Sequence, residues 1–332
     1  AKIHPLRLGR AGSRSAGFEK PVSAETWLRR ILVPFLLTRA ALLAVGFLAL
    51  GLLGSARSSM PGNLVAHESV AEPLEIWAPW DSEWYLLIAR HGYQVGDQLR
   101  NYSVGYHEGD AAGFFPLYPA LLGALQRLGL PAVLAGVLLS NAALLLALTL
   151  LYLLCLAEWD ESAAANSVWV LLGFPFSLFL SAVYSESLAL ALILASFYLA
   201  RHQRWGALAA CGFLCALTRP TALLAAPALV WEVIQRRGGW RGAVGLLGFP
   251  AGRAAFSAYC GEEFGNPLIW AERQQRWRGD VSGPWQAFLR FCESKPQLHG
   301  AHNSILELIT AVLLLAAPVP VLRRGPGSRG TF

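Results

Sequence analysis

Long apolar runs, separated by short polar joints and two long polar stretches, set the pattern of this chain. The first run is residues 31–53 (ILVPFLLTRAALLAVGFLALGLL), and others follow at 114–130, 132–156, 163–183, 186–200, 205–234, 242–257 and 304–322. A membrane-spanning helix needs about 20 apolar residues, so the pattern predicts an all-α, polytopic transmembrane helical bundle of about eight helices, between seven and ten. Pro175 interrupts the fourth run and Arg219-Pro220 the sixth, while 186–200 is short. The polar stretches 54–112 and 258–303 are the two large loops. The predicted organisation is an N-terminal segment 1–30, a membrane domain 31–322 and a polar tail 323–332.

Composition sharpens the class. The 332 residues are 55% hydrophobic and 14% charged, against roughly a quarter charged in soluble domains. Disordered, collagenous and disulfide-framework classes are excluded, and no polar linker divides the chain as in a two-domain soluble protein. The net charge of +6 does not predict a nucleic-acid partner, because the basic residues form no patch interleaved with aromatics. They collect at the ends of apolar runs, which points to the lipid bilayer as the partner.

Before the first run stand Lys2, Arg7, Arg10, Arg14, Lys20, Arg29 and Arg30 against Glu19 and Glu25, a bias that predicts a cytoplasmic N-terminus. The run is too long, and too free of a small-residue cleavage site, for a signal peptide. The stretch 54–112 is acidic and is expected outside. The middle of the chain has two routes. If 163–183 and 205–234 each cross once, the basic cluster Arg201 to Arg204 lies outside. If each is broken or re-entrant, that cluster lies inside and Ser185-Glu186-Ser187 outside. Both routes put 258–303 on the same outer face as 54–112. No repeat of 20–50 residues and no inverted-repeat halves stand out.

The candidate chemistry is concentrated in Trp77-Ala-Pro-Trp80-Asp81-Ser82-Glu83-Trp84-Tyr85, which continues to Arg90-His91-Gly92-Tyr93. One reading is an interfacial helix lying at headgroup level, since indole and phenol rings favour that zone. The other makes Asp81 and Glu83 general bases beside an aromatic sugar platform. Arg39, Glu186 and Arg219 lie in or at the edge of apolar runs, where a charge costs at least about 2.5–3.5 kcal/mol and is a functional-site candidate by default. Arg219 suits a phosphate, because its guanidinium is a fixed fork of donors. Glu186 is either part of the site or its structural counter-ion.

The stretch Trp80-Asp81-Ser82-Glu83-Trp84-Tyr85 through His91-Gly92-Tyr93 resembles the first luminal loop of the PIG-V family, the second GPI mannosyltransferase. Phe114-Phe115-Pro116-Leu117-Tyr118-Pro119 is similar to that family's aromatic-proline helix opening, Tyr184-Ser185-Glu186-Ser187 to its Tyr-Ser-Glu motif, and Leu217-Thr218-Arg219-Pro220 to its Arg motif. Phe264-Gly265-Asn266-Pro267-Leu268, with Gln274, Trp277, Pro284 and Trp285, resembles its second outer loop.

The resemblance implies a helical bundle of the GT-C class of glycosyltransferases. The implied member is bacterial, sits in the inner membrane, and is shortened at its C-terminus. Its donor would be a mannosyl polyprenyl or dolichyl phosphate, and its acceptor a lipid or glycan hydroxyl. By the same resemblance Asp81 is the catalytic base; the mechanism expected with it has Arg219, with Arg39, stabilising the departing phosphate, and Trp80, Trp84, Tyr85, Trp277 and Trp285 framing the sugar. His91 is implied in binding substrate. No cofactor is predicted with certainty. A divalent metal has no support in the sequence, since Asn266 stands where relatives often carry Asp.

Of five cysteines, Cys155, Cys211 and Cys215 read as packing residues, while Cys260 and Cys292 share one outer loop and can pair in an oxidising compartment. His67, His91, His107, His299 and His302 show no metal-ligand spacing. No Walker, dinucleotide, Ser-His-Asp or HExxH pattern appears. A transporter or flippase for lipid-linked sugar, or an inactive remnant of the family, remains open as the alternative. The two large outer loops favour chemistry at the outer face.

Overall fold

A computed structural model of the chain describes residues 22–53, 76–94 and 109–278, with isolated helical positions between 289 and 312. The chain divides into two compact units, 1–273 and 274–332. Among the described residues every regular element is helical. They are α1 (Ala24–Leu52), α2 (Ser82–His91), α3 (Leu117–Arg127), α4 (Ala132–Glu158), α5 (Glu161–Gly173), α6 (Glu186–Arg201), α7 (Trp205–Ala216), α8 (Ala226–Gln235), α9 (Gly239–Leu246), α10 (Gly248–Phe264) and α11 (Ile269–Arg278). Two of them, α1 and α4, are long and apolar enough to cross a membrane.

Both interrupted runs break one residue before a proline. Phe174, ahead of Pro175, is extended (φ −63°, ψ 135°) and ends α5. Arg219, ahead of Pro220, is likewise extended (φ −155°, ψ 147°) and separates α7 from a short 3-10 turn, Pro220–Ala225, leading into α8. The proline ring disfavours a helical conformation in the residue before it, so the two sites follow from sequence. The predicted helix 114–130 shrinks to eleven residues. The second loop also starts later than residue 258, because α10 continues to Phe264 and stops at Gly265 in the left-handed conformation, φ 68°.

Helix ends gather into two polar layers. In one, Arg30 meets Glu161 at 3.1 Å, Arg201 meets Glu158 at 3.0 Å and Glu232 at 3.1 Å, and Arg236 meets Glu232 at 2.9 Å. The start of α1, the α4–α5 joint, the end of α6 and the end of α8 therefore lie together. In the other layer, Val183 N donates to Trp77 O (2.8 Å) and Leu117 N to Leu217 O (2.9 Å). Ser140 Oγ there donates to Tyr184 O at 3.1 Å. The chain from α4 to α10 shuttles between these layers.

Close helix approach relies on small residues. A Cβ on Gly248 or Gly252 of α10 would run into the carbonyl oxygens of Ala209 and Phe213 on α7. This is the Gly-x-x-x-Gly arrangement that brings helix backbones together where hydrophobic driving force is weak. At the second layer, α2 packs on α3, with Gly123 against the Ala89 carbonyl. Trp84, Tyr85, Leu86, Leu87 and Ile88 are all buried. The sequence allowed α2 to be a helix lying flat at the headgroups. Its apolar side is covered by protein, with Phe114, Tyr118 and α3 supplying the apolar surface.

Candidate active site

The site is assembled where α2, the irregular segment 174–185, the start of α6 and the end of α7 meet. Trp80 takes a left-handed backbone conformation, φ 47°, that costs a non-glycine residue roughly 1–2 kcal/mol. Such strain persists where surrounding structure holds it. Here the Trp77 carbonyl is tied to Val183, and the Asp81 N–H donates to the Tyr184 hydroxyl at 3.1 Å. The strained turn leaves Trp80 56% exposed, its ring tilted over Phe179 at 5.9 Å. Asp81 beside it is exposed, at the N-terminal end of α2.

Behind Asp81 the polar groups interlock. The Tyr85 and Ser185 hydroxyls are 2.7 Å apart. Arg219 Nη1 donates to Ser185 Oγ at 3.3 Å and forms an ion pair with Glu186. Asp81, Glu186 and Arg219 are near enough to act electrostatically on one another. Burial pushes the Tyr85 phenol above its ordinary range, so it remains neutral. Tyr85 is held edge-on to Phe114 (5.3 Å) and Tyr118 (5.0 Å), and Tyr118 is fixed by Ser140 at 2.8 Å. The result is an accessible carboxylate and an exposed indole in front of a braced guanidinium, an arrangement able to accept a proton and steady a developing negative charge.

The structure thus brings together Trp80, Asp81, Tyr85, Glu186 and Arg219. It places others elsewhere. Trp84 is buried and stacks on Phe114 at 5.4 Å, so its expected sugar contact gives way to a core position. Glu83 is half-buried on α2, and residues two apart on a helix do not share a face. His91 ends the ten-residue α2, about 15 Å along the axis from Asp81 at 1.5 Å per residue. Arg39 donates to Ser177 O (3.0 Å), Ser181 Oγ (2.8 Å) and Leu172 O (3.4 Å). It answers carbonyls released where α5 breaks, the groups every helix end leaves unsatisfied, rather than joining Arg219. The Trp277 side chain and Trp285 lie outside the described residues.

Asn266 accepts from Leu268 N and donates to Glu272 (both 2.9 Å). Among the described residues no group of three or more His, Cys, Asp or Glu side chains is gathered. Cys260 and Cys292 are both free thiols. Sequence reasoning missed Tyr184 and Phe179 as partners of Asp81 and Trp80, although Tyr184 adjoins the Ser185-Glu186 pair. It also missed Arg253, which carries the same signal as Arg39 and Arg219: an arginine inside an apolar run.

Among the described residues the protein is all-helical, its candidate site lies at one end of the helices, and two apolar helices fit a membrane protein. The chain matches the family model described as mannosyltransferase (PIG-V) over residues 28–234, well over half its length. It belongs to that family and is a glycosyltransferase. No curated protein and no solved structure matches it. Asp81, Glu186 and Arg219 fall inside the matched region, whereas α9, α10 and α11 lie beyond it.

Proposed function

We propose that this chain is a multi-pass membrane enzyme that transfers a hexose, mannose, from a polyprenyl or dolichyl phosphate to an acceptor hydroxyl at the outer membrane face. The observation that carries this reading is the exposed Asp81 between the Trp80 ring and the Arg219–Glu186 pair. Orientation follows from charge. The layer holding Arg30, Arg201 and Arg236 joins the basic N-terminus and faces the cytoplasm, so the layer holding Asp81 faces out. The shorter helices cross between the layers with their irregular extensions, which line protein rather than lipid. This is the broken-helix route through 163–234, with Ser185 and Glu186 outside.

In this mechanism Asp81 takes the proton from the acceptor hydroxyl as that oxygen bonds to sugar C1. The C1–O bond to phosphate breaks, and the electron pair leaves with the lipid phosphate. Arg219, oriented by Glu186 and Ser185, stabilises the departing charge. Trp80 offers its face to the apolar side of the sugar ring.

The test is transfer from radiolabelled polyprenyl-phosphate-mannose to lipid acceptors by protein in nanodiscs. Wild type releases polyprenyl phosphate and labels acceptor. Asp81→Asn, with unchanged expression and thermal midpoint, does neither. An active Asp81→Asn enzyme, or sugar-lipid movement across the bilayer without release of polyprenyl phosphate, overturns the reading, the second outcome favouring a flippase.

A further inference from the structure

Arg253 on α10 has an environment unlike that of the other buried arginines. Its guanidinium lies 4.2 Å from the centre of the Phe115 ring and 4.6 Å from that of Trp270. All three nitrogens are buried, and none has a hydrogen-bond partner among the described residues. The clamp is itself fixed. Trp270 Nε1 donates to Ser257 Oγ at 2.9 Å, one turn beyond Arg253 on the same helix. Phe115 is almost wholly buried and packs on Phe256 (4.7 Å) and Trp270 (5.7 Å).

A guanidinium cannot shed its charge, and a buried charge without a partner is costly. Two aromatic faces attract the cation but accept none of its N–H groups, so they offset only part of that cost. Arg273 on α11 has the buried carboxylate of Asp110 at 3.6 Å. Arg39 has carbonyl and hydroxyl acceptors and Arg219 has Glu186. Arg253 alone of these three guanidiniums has a fork with no acceptor among the described residues.

The fork sits in the outward layer. Two residues after Phe115, Leu117 N bonds to Leu217 O, and Arg219 is two residues further along that strand of chain.

We propose that Arg253 is a binding residue for the phosphate ester of a lipid-borne substrate, held by the guanidinium fork between Phe115 and Trp270. A guanidinium matches phosphate oxygens in a bidentate fashion, and aromatic walls suit the apolar lipid attached to the ester. The inference rests on the glycosyltransferase reading for its ligand class and on Arg253 itself for its place. It separates two duties: Arg253 holds phosphate in the bound ground state, and Arg219 acts as the bond to sugar breaks.

Binding without turnover tests it. Full-length wild type, Arg253→Met and Arg253→Lys in nanodiscs of neutral phosphatidylcholine are titrated with polyprenyl phosphate, with polyprenol, and with phosphatidylglycerol, following thermal midpoint and Trp fluorescence. Wild type is expected to bind a phosphate-bearing lipid, with Arg253→Met at least tenfold weaker and Arg253→Lys in between. Polyprenol is expected to bind all three proteins alike. Arg253→Met without ligand keeps or raises the wild-type thermal midpoint, since a buried cation is replaced by an apolar chain of similar length.

Dependence on Arg253 with polyprenyl phosphate identifies the donor side as the source of the ester. Dependence with phosphatidylglycerol alone identifies a phospholipid headgroup. Equal affinity of wild type and Arg253→Met for both lipids overturns the proposal, as does a lowered unliganded midpoint of Arg253→Met while Arg253→Lys binds and melts like wild type. Mannosyl transfer in the first assay together with Arg253-independent binding sinks this inference and leaves the enzyme reading standing. Arg253-dependent phosphate binding without any hexose transfer does the reverse.

Discussion

Helix α6 carries an arginine–carboxylate cluster at each end, and the two are built differently. At its start Glu186 pairs with Arg219, beside Ser185, Tyr85 and Asp81. At its end, fifteen residues and about 22 Å away at 1.5 Å per residue, Arg201 bridges Glu158 and Glu232, with Arg236 joining from α8. Both clusters obey the helix dipole, with an acid in the first turn and a base in the last. The lower cluster ties α4, α6 and α8 together and saturates its charges mutually. The upper one is built around a break in backbone regularity, and Glu186 Oε2 is left buried without a hydrogen-bond partner among the described residues. A network that satisfies its own members stabilises a fold. One that leaves capacity open next to an exposed carboxylate suits a reaction.

Substitutions at matched positions can break or sharpen this contrast. Arg219→Gln is expected to lower kcat by about 100-fold or more, the scale of losing one donor to a developing oxyanion. Arg201→Gln should leave the kcat of folded enzyme within twofold, while lowering stability by about 1–3 kcal/mol, since Glu158 loses its partner and Glu232 keeps only Arg236. Steady-state transfer assays with a thermal-midpoint measurement separate the two. An Arg201→Gln enzyme that melts like wild type but fails in catalysis would erase the distinction.

A smaller effect belongs to Glu186→Gln, which keeps a hydrogen bond to Arg219 but loses its orienting charge. A kcat loss of roughly tenfold, equal to about 1.4 kcal/mol of barrier, is expected, with KM little changed. Smallest in rate is Trp80→Gly. Glycine relieves the left-handed strain and should stabilise the protein by about 1 kcal/mol. It also removes the proposed sugar platform, which is expected to raise KM roughly threefold to tenfold. Increased stability with unaltered KM would show that the strained Trp80 turn has no part in binding.

Much of this was legible beforehand because it is local. Phe174-Pro175 and Arg219-Pro220 dictate where two apolar runs break, since the steric conflict involves adjacent residues only. Charges inside apolar runs stand out whatever their partners, which is why Arg39, Glu186 and Arg219 were visible. Trp84 and Trp80 read alike in sequence, both being tryptophans flanking the same acidic pair. Only packing distinguishes them: Phe114 covers one, and a left-handed turn lifts the other into the open.

The sequence by itself determined a helical, charge-poor chain, its proline breaks and the places where charges interrupt apolar runs, because hydropathy and backbone sterics act over a few residues. Tertiary structure alone decided what each arginine faces. Arg39 meets carbonyls more than a hundred residues away, Arg219 meets Glu186, and Arg253 meets two rings and no acceptor among the described residues. A guanidinium's role depends on which helix face its long side chain reaches, and that is set by how helices pack.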